Sequence, residues 1–252
     1  MSKIYLSVVI PSYNEMVNLQ KGVLDKVGHF LQKKFDQKGF EVMVVDDGSD
    51  DGSREFVEQF IRKNKNFNLI KNSHTGKAGA VTSGILAAKG EIVLFTDMDQ
   101  ATPIKEIDKL LPYFSDWDIV AGSRNNQRKG SPFSRIIMAR GFMLLRTIIL
   151  GLRGISDTQC GFKAFKKEAA QKLFGKINML HHGFQTVSGS AVTAGFDVEL
   201  LYLAQKLGYR IKEVPVNWLY VETRRVSPVR DSIDGLIDLL RIKYNDIKGL
   251  YD

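Results

Sequence analysis

The sequence has one cysteine and no long uninterrupted apolar stretch. Cys160 cannot form a disulfide within the chain, so the framework of proteins made for oxidising compartments is missing, and we expect a cytoplasmic location. The first residues do not combine a long apolar region with a small-residue cleavage site, so we infer no export signal. The longest apolar region, 141–152, contains Arg146 and is shorter than the roughly 18 to 20 residues that a membrane-spanning helix needs. We therefore predict no membrane span.

Acidic residues are absent from one part of the chain. None occurs from 119 to 156, although this stretch contains seven arginine and lysine residues. The whole chain has a formal net charge of +8, which indicates affinity for a polyanion such as nucleic acid, anionic lipid or a phosphorylated small molecule. Nucleic-acid binders interleave aromatic residues with arginines or contain a recognition module. The sequence shows neither feature, so we predict no nucleic-acid partner.

The pattern of apolar residues predicts one α/β domain over 1–252. Short β-branched segments alternate with longer segments of helical periodicity through the first half. This alternation is typical of a mostly parallel sheet with helices on both faces. The predicted strands are 6–11, 40–46, 67–71, 91–97, 117–123, 160–165 and 210–216. The predicted helices are 15–35, 51–64, 78–89, 104–115, 166–174, 196–207 and a C-terminal helix from about 229.

Two aspartates, Asp97 and Asp99, follow the predicted strand at 91–97. In open α/β sheets ligands bind at the carboxyl ends of the strands, so these acids point to a site. The period of a strand would turn both carboxylates to the same side, and hard oxygen ligands beside a diphosphate suit Mg²⁺ or Mn²⁺. The alternative is a solvated turn that Thr102 and Pro103 close.

Two further segments suit a nucleotide. Asp47, at the end of the second predicted strand, can accept hydrogen bonds from a base or ribose, and we expect residues 50–53 to start a helix. The segment 74–84 places glycines and Lys77 before a helix, and amide groups with a lysine suit a diphosphate. It lacks the spacing of a P-loop, which argues against ATP hydrolysis.

These motifs, in this order, resemble the family-2 glycosyltransferases of the GT-A fold, closest to the polyprenyl- and dolichyl-phosphate β-glucosyltransferase branch. The matching segments cover nearly the whole chain: VVIPSYNE, VVDDGSDDGS, GKAGAVTSGI, DMDQATP, AGSR, DTQCGFKAF and FDVELLYLAQKLGYRIKEVPV. The resemblance implies a nucleotide-sugar-binding half at 1–123 and an acceptor-binding half at 124–252. It implies a UDP-sugar donor, with UDP-glucose first, and a polyprenyl-phosphate acceptor.

The resemblance also assigns roles to residues. Donor binding is implied for Pro11, Tyr13, Glu15, Asp47, Lys77, Asp97 and Asp99. Asp97 and Asp99 are the implied metal ligands and, with Asp157 and Asp197, the implied catalytic residues. Acceptor-phosphate binding is implied for Arg124, Arg135, Arg224, Arg225 and Ser227. Mannose synthases of this branch use a glutamine as a further metal ligand where this chain has Ala101, so the cation would depend on Asp99, the diphosphate and water.

The acceptor decides whether a base is needed. A monophosphate has a second pKa near 6, so it is already largely anionic at neutral pH, and arginines that position it would suffice. A sugar hydroxyl would instead need a carboxylate base, with Asp157 the first candidate and Asp197 the second.

Two other function classes remain open. One is a sugar nucleotidyltransferase, which usually has a glycine-rich basic loop after its first strand. The other is an inactive nucleotide-sugar-binding module.

The acid-free stretch predicts contact with a membrane surface. Arg135, Arg146 and Arg153 are spaced by 11 and 7 residues and would share one helical face. They would lie opposite Ile137, Leu144 and Ile148. A basic amphipathic segment lies on an anionic membrane, so we predict peripheral binding through 130–153; the alternative is an ordinary helix packed on the sheet. His181 and His182 lack zinc-site spacing, and we expect them to be surface residues.

Overall fold

The computed structural model describes residues 3–124, 133–185, 194–219 and 228–252, with side chains described there except at 133–140, 194 and 228–232. The strands in these ranges are β1 (Leu6–Ser12), β2 (Phe40–Asp46), β3 (Phe67–Lys71), β4 (Ile92–Thr96), β5 (Ile119–Ser123), β6 (Phe162–Lys166) and β7 (Ile211–Pro215). The α-helices are α1 (Met16–Gln20), α2 (Val23–Phe35), α3 (Ser53–Lys63), α4 (Gly76–Ala87), α5 (Ile107–Leu110), α6 (Phe133–Leu150), α7 (Lys167–Leu180), α8 (Ala194–Lys206) and α9 (Pro228–Ile247). Short 3-10 segments at Ile104–Glu106 and Leu111–Ser115 flank α5.

The strands of the described residues form one seven-stranded sheet in the order β3-β2-β1-β4-β6-β5-β7. Neighbouring strands are parallel except at β6, which runs antiparallel to β4 and β5. The predicted mostly parallel sheet is therefore confirmed. Because Phe162 at the start of β6 pairs with Thr96 at the end of β4, the residues before β6 reach the edge where the other strands end.

The apolar core lies on both faces of the sheet. Val8, Val9 and Ile10 of β1 are all fully buried, although successive side chains of a strand point to opposite faces. Val9 joins a cluster with the helices α4, α7 and α8, whereas Val8 and Ile10 join a cluster with α1 and α2. A parallel strand covered by helices on both sides requires such a continuous apolar run. The segment VVI therefore predicts a strand that is buried on both faces.

Glycine and turn chemistry shorten two predicted elements. The helix predicted at 15–35 is interrupted between α1 and α2, because Gly22 adopts the left-handed region with φ 70°. The strand predicted to reach Asp97 ends at Thr96, because Gln100 has φ 50° and closes a turn. The amide N–H of Gln100 donates to the carbonyl oxygen of Asp97 at 3.2 Å, and its side-chain Oε1 accepts from the N–H of Ile104 at 3.0 Å.

The predicted basic face of the 130–153 segment is wrong at Arg146. The Arg146 side chain is 1% exposed and points into the protein, where Nη1 donates to Thr158 Oγ1 at 2.8 Å and Nη2 donates to the carbonyl oxygen of Ile155. Burial lowers the pKa of Arg146, which Glu213 and Asp157 partly offset. Arg153 is exposed but lies beyond the end of α6 at Leu150, and the side chain of Arg135 is outside the described set. Arg146 therefore secures the loop that follows α6.

Apolar side chains, not arginines, lie on the described outer face of α6. Leu144 is 60% exposed and Ile148 70% exposed. α6 packs against α9 at Gly235, where an added Cβ would lie 2.8 Å from the Phe142 ring. The outer face of α9 exposes a further apolar set at helical spacing: Ile233, Leu236, Ile237, Leu240, Tyr244 and Ile247. None of the helices in the described part of the chain combines the length and apolarity needed to cross a bilayer.

Candidate active site

Several sequence-predicted site residues lie at the edge of the sheet where the parallel strands end, which is where open α/β sheets have their ligand crevice. Tyr13 follows β1, Asp47 follows β2, and Asp97 follows β4. Asp157 lies in the loop that enters β6, the antiparallel strand whose first residue is at this edge. The crossover connections of a mostly parallel sheet bring these segments together, because the strands end on the same side.

Asp97 and Lys77 form an ion pair across the crevice. Lys77 lies in the first turn of α4, and its Nζ is 2.5 Å from Asp97 Oδ1. Burial opposes the charge of Lys77, but the carboxylates Asp97, Asp197 and Asp99 outweigh it and raise the pKa of the lysine. The lysine is therefore a fixed cation at the N-terminus of a helix, which is where a diphosphate would bind.

Gly161 sets the position of Asp97. A Cβ added at Gly161 would lie 2.0 Å from Asp97 Oδ2, a distance at which one of the two must move. The carboxylate of Asp97 thus lies between the Lys77 ammonium and the backbone before β6. The glycine of the segment CGF is required for this close approach, which the sequence alone does not reveal.

Asp99 and Asp97 suit a cation that is shared with a ligand. Met98 between them is 2% exposed and anchors the turn in the core, while Asp99 Oδ1 accepts the N–H of Ala101 at 3.0 Å. Among the residues that the structure describes, no three histidine, cysteine, aspartate or glutamate side chains converge on a point that could hold a metal ion. Mg²⁺ is commonly held by one or two carboxylates together with substrate phosphates and water, so two aspartates fit this mode.

Asp157 and Arg124 form a buried ion pair. Arg124 Nε donates to Asp157 Oδ2 and Nη2 donates to Oδ1, both at 2.8 Å, and the backbone N–H of Arg124 donates to Oδ2 at 2.9 Å. Burial opposes ionisation, but the bonds and charge of Arg124 outweigh it and lower the pKa of Asp157 to about 2. The same pair raises the pKa of Arg124, whose guanidinium lies 5.8 Å from the centre of the Trp218 ring. The roles predicted for the two residues, base and phosphate ligand, stay predictions, and in this structure each group binds the other.

Glu213 of β7 supports this pair from behind. Its Oε2 accepts from the N–H and the hydroxyl of Ser156 at 2.9 and 2.7 Å, and its Oε1 accepts from the N–H of Asp157 at 2.7 Å. The loop that carries Asp157 is therefore tied to β7 on one side and to Arg146 on the other. Sequence reasoning missed Glu213, because an acid within a strand has no signature of its own.

Asp197 forms a third ion pair of the crevice, with a lysine that sequence reasoning missed. Lys163 is 0% exposed, and its Nζ donates to Asp197 Oδ1 and to the carbonyl oxygen of Cys160, both at 2.6 Å. Its ammonium also lies 5.2 Å from the centre of the Phe95 ring. The sequence does contain a signal for this residue: a lysine within the apolar strand segment CGFKAF would be buried, and a buried ammonium needs a partner.

Asp47 is fixed by the turn that starts α4. Its Oδ1 accepts from the N–H and the hydroxyl of Thr75 at 2.8 and 2.9 Å, and its Oδ2 accepts from the N–H of Gly76 at 2.8 Å. Asp47 is 2% exposed, so this carboxylate orients the turn at Thr75 and Gly76. Whether it also contacts a nucleotide remains a prediction.

The loops after β1 and β2 bind each other. The N–H of Glu15 donates to Ser53 Oγ at 2.9 Å, and the N–H of Met16 donates to Asp51 Oδ2 at 3.0 Å. Of the predicted start at 50–53, only Ser53 belongs to α3, whose N-cap is Gly52. The predicted donor residues Pro11, Tyr13 and Glu15 are half-buried at this edge.

Four predicted acceptor residues lie wholly or in their side chains outside the described residues, and the burial of one histidine differs from the prediction. Arg224, Arg225 and Ser227 lie outside the described residues, as does the side chain of Arg135. His182 is exposed as predicted. His181 is half-buried, because its Nε2 lies 2.7 Å from the buried Glu199.

Comparison with known proteins defines the family. The model of glycosyl transferase family 2 matches residues 7–174. The chain belongs to glycosyltransferase family 2. Among curated relatives of this glycosyltransferase, the dolichyl-phosphate beta-glucosyltransferase of Dictyostelium discoideum is 34% identical and aligns with 98% of this chain and 76% of the relative. The protein of the same name from Saccharomyces cerevisiae is 33% identical over 99% of this chain and 77% of its own length.

A solved structure supports the GT-A fold of this family-2 glycosyltransferase. The mannosyltransferase PcManGT from Pyrobaculum calidifontis, solved with GDP-Man and Mn²⁺, superposes with a TM-score of 0.58 at 21% identity. The match covers 88% of this chain and 58% of that one. The family match over residues 7–174 decides against the sugar nucleotidyltransferases, which share much of this sheet.

Proposed function

We propose that this glycosyltransferase moves glucose from UDP-glucose to a polyprenyl monophosphate of the dolichyl type, with inversion at the sugar. The observation that carries the proposal is that both carboxylates considered as bases are bound by cations: Asp157 by Arg124 and Asp197 by Lys163. A phosphate monoester is already largely anionic at neutral pH and needs no base. The name shared by the curated relatives supports the same acceptor and sugar.

In this reaction an acceptor phosphate oxygen attacks the sugar C1 from the face opposite the nucleotide. A bond forms between that oxygen and C1, while the bond from C1 to the β-phosphate oxygen breaks and its electron pair leaves with UDP. Lys77 stabilises the charge on the departing diphosphate. Asp97 and Asp99 would hold Mg²⁺ or Mn²⁺ against the same diphosphate, and the cation would neutralise part of its charge.

The ion pair of Arg124 changes how the acceptor is bound. Two of its donor nitrogens serve Asp157, so we infer that Arg124 positions the loop and adds positive potential, while direct phosphate ligands come from Arg135, Arg224, Arg225 and Ser227. The basic residues suit a phosphate because a guanidinium donates two hydrogen bonds at once. A neutral sugar acceptor would not need this concentration of charge.

We further infer a peripheral location on the cytoplasmic face of a membrane, where a polyprenyl phosphate presents its headgroup. The exposed apolar faces of α6 and α9 support this placement, since burial of apolar surface in lipid is favourable. The arginine face predicted from the sequence does not, because Arg146 is buried.

The decisive experiment incubates the purified protein with a panel of nucleotide sugars and polyprenyl phosphates and identifies products by mass. UDP-glucose with a dolichyl-type phosphate should give glucosyl phosphopolyprenol, and a chelator should suppress it. If a plain saccharide accepts glucose better than any prenyl phosphate, the proposed acceptor is wrong and the enzyme acts on a sugar hydroxyl. Preference for GDP-mannose would overturn the donor, and lack of transfer from every donor would favour an inactive binding module.

A further inference from the structure

His74 lies against two residues that the sequence assigns to the nucleotide. Its imidazole stacks on the phenol ring of Tyr13, with 4.1 Å between ring centroids and 14° between the planes. Its Nδ1 lies 2.9 Å from Asp47 Oδ2 and 2.9 Å from the Asp47 carbonyl oxygen. The side chain is 15% exposed. Sequence reasoning missed His74, which has no motif of its own.

The chemistry of these contacts fixes the hydrogen on His74. A carbonyl oxygen accepts only, and an ionised carboxylate accepts only, so Nδ1 must carry the proton and donate it. His74 is thus a flat ring with an N–H that faces a carboxylate and a π face that covers a tyrosine. A uracil ring offers the same pair of features, since its N3–H is a donor and its face stacks on aromatic side chains.

We propose that His74 is an internal stand-in for the nucleobase, which occupies the Tyr13 and Asp47 contacts until the donor displaces it. The inference rests on the proposed UDP-sugar donor. Asp47 is prepared for the exchange, because Thr75 and Gly76 still bind its carboxylate when the imidazole leaves. The apparent affinity for the donor is lowered by the free energy of breaking the His74 contacts, as for any site whose competent state is a minor one.

Space near the histidine depends on Gly48. A Cβ added there would lie 3.1 Å from His74 Cβ, and Gly48 has φ +85°, a conformation that favours glycine. The glycine of the segment DDGS therefore allows the 74–76 turn to approach Asp47 closely enough for the imidazole to reach Tyr13.

Calorimetric titration with UDP tests the proposal in the wild type and three variants. His74→Ala should bind UDP on the order of tenfold more tightly than the wild type, because no stack and hydrogen bond must be broken first. His29→Ala, which changes an exposed histidine on α2, is the matched control and should bind like the wild type. Tyr13→Leu made together with His74→Ala should bind UDP more weakly than His74→Ala, because the base loses its stacking surface and no imidazole stack is lost with it. If His74→Ala binds UDP as strongly as the wild type or more weakly, His74 does not occupy the nucleobase site and the proposal is wrong.

Proton NMR supplies a readout that does not depend on affinity. In the free protein the ring-proton signals of His74, assigned by their loss in His74→Ala, should be displaced by the ring current of Tyr13. Saturating UDP should return them toward the values of an unstacked histidine, whereas an unchanged shift would overturn the displacement. If no protein gives heat with UDP, the proposed donor fails and the stand-in with it; if UDP binds but His74 stays stacked, only the stand-in fails.

Discussion

At the scale of single residues, the crevice is defined by pairs of opposite charge. Lys77 pairs with Asp97, Arg124 with Asp157, and Lys163 with Asp197. Each carboxylate is thereby oriented before a substrate arrives. Such preorganised charges stabilise developing charge without having to reorient during the reaction.

The pH dependence of Asp157 follows from its pair. Its pKa of about 2 in the folded protein is below the usual value near 3.9, so the ionised carboxylate stabilises the fold above pH 4. This contribution is lost as the pH falls from about 4 through about 2. Asp157→Asn should therefore lower the free energy of unfolding by at least about 2 kcal/mol at pH 7, and urea titrations should show the difference shrinking below pH 4.

The same variant separates a positioning role from that of a base. Transfer by Asp157→Asn should be slower, because Arg124 loses its partner. The rise of rate near pH 6, which belongs to the acceptor phosphate, should persist. Disappearance of this rise in Asp157→Asn alone would make Asp157 the base and contradict the phosphate-acceptor mechanism.

Gly161 gives a prediction about the geometry of Asp97. Gly161→Ala should reduce transfer on the order of a hundredfold, because the added methyl displaces the carboxylate beside the leaving diphosphate. Gly175→Ala on α7 is the matched control, since nothing lies within 4 Å of a Cβ there. Thermal unfolding of both variants checks that the fold is kept. Full transfer by Gly161→Ala would show that the position of Asp97 does not matter.

Lys163 gives a prediction about a buried charge. Lys163→Met should destabilise the protein by about 3 kcal/mol, because Asp197 loses a partner in a largely buried place. The double variant with Asp197→Asn should recover part of this stability without recovering transfer. Lys172→Met, at an exposed position of α7, serves as the control in the same denaturant titrations. A stability equal to the wild type would mean that the pair contributes little.

At the scale of elements, the two faces of α6 are oriented opposite to the sequence prediction. The predicted separation of Arg146 from Leu144 and Ile148 is correct, but the arginine faces inward and the apolar residues face outward. The buried guanidinium binds the loop that carries Asp157 through Thr158 and Ile155. The Arg146 side chain therefore couples the helix to the crevice.

Replacement of Arg146 tests this coupling. Arg146→Met should lower the free energy of unfolding by about 2 to 4 kcal/mol, because Thr158 and the Ile155 carbonyl are left without a charged donor. Arg153→Met removes an exposed arginine just beyond the same helix and should change stability by less than about 0.5 kcal/mol. Equal effects of the two changes in urea unfolding would contradict the inward role of Arg146.

At the scale of the whole molecule, the exposed faces of α6 and α9 predict where a membrane would contact the protein. Leu144→Ser with Ile148→Ser should reduce co-sedimentation with anionic vesicles on the order of tenfold, because two apolar side chains no longer enter the lipid. Val17→Ser changes a residue 65% exposed on α1 and is the control. Part of the binding should survive high salt, since charge contributes only about 1 kcal/mol per basic residue near the surface. If the double variant sediments with vesicles as the wild type does, the outer face of α6 does not contact the membrane.

Features that depend on local periodicity can be predicted from the amino-acid sequence. Runs such as VVI and VLF predicted strands buried on both faces, and the polar segments after them predicted a site at the strand ends, because parallel strands end at a common edge. The predictions for Asp97, Asp99 and Asp47 rest on this argument, and the prediction for Lys77 rests on the glycines before a helix. A helical period also showed which residues of α6 share a face.

The face of a helix that meets the core, and the charges that meet each other, depend on how distant segments pack and cannot be predicted from local pattern. Arg124 and Asp157 are 33 residues apart, and Lys163 and Asp197 are 34 apart, so chain packing alone brings them within bonding distance. Arg146 is buried because the loop after α6 offers it oxygen acceptors, a fact that periodicity does not contain. The same holds for His74, whose stack on Tyr13 joins loops that follow different strands. Local pattern fixes the elements, whereas side-chain partners depend on contacts between segments far apart in the chain.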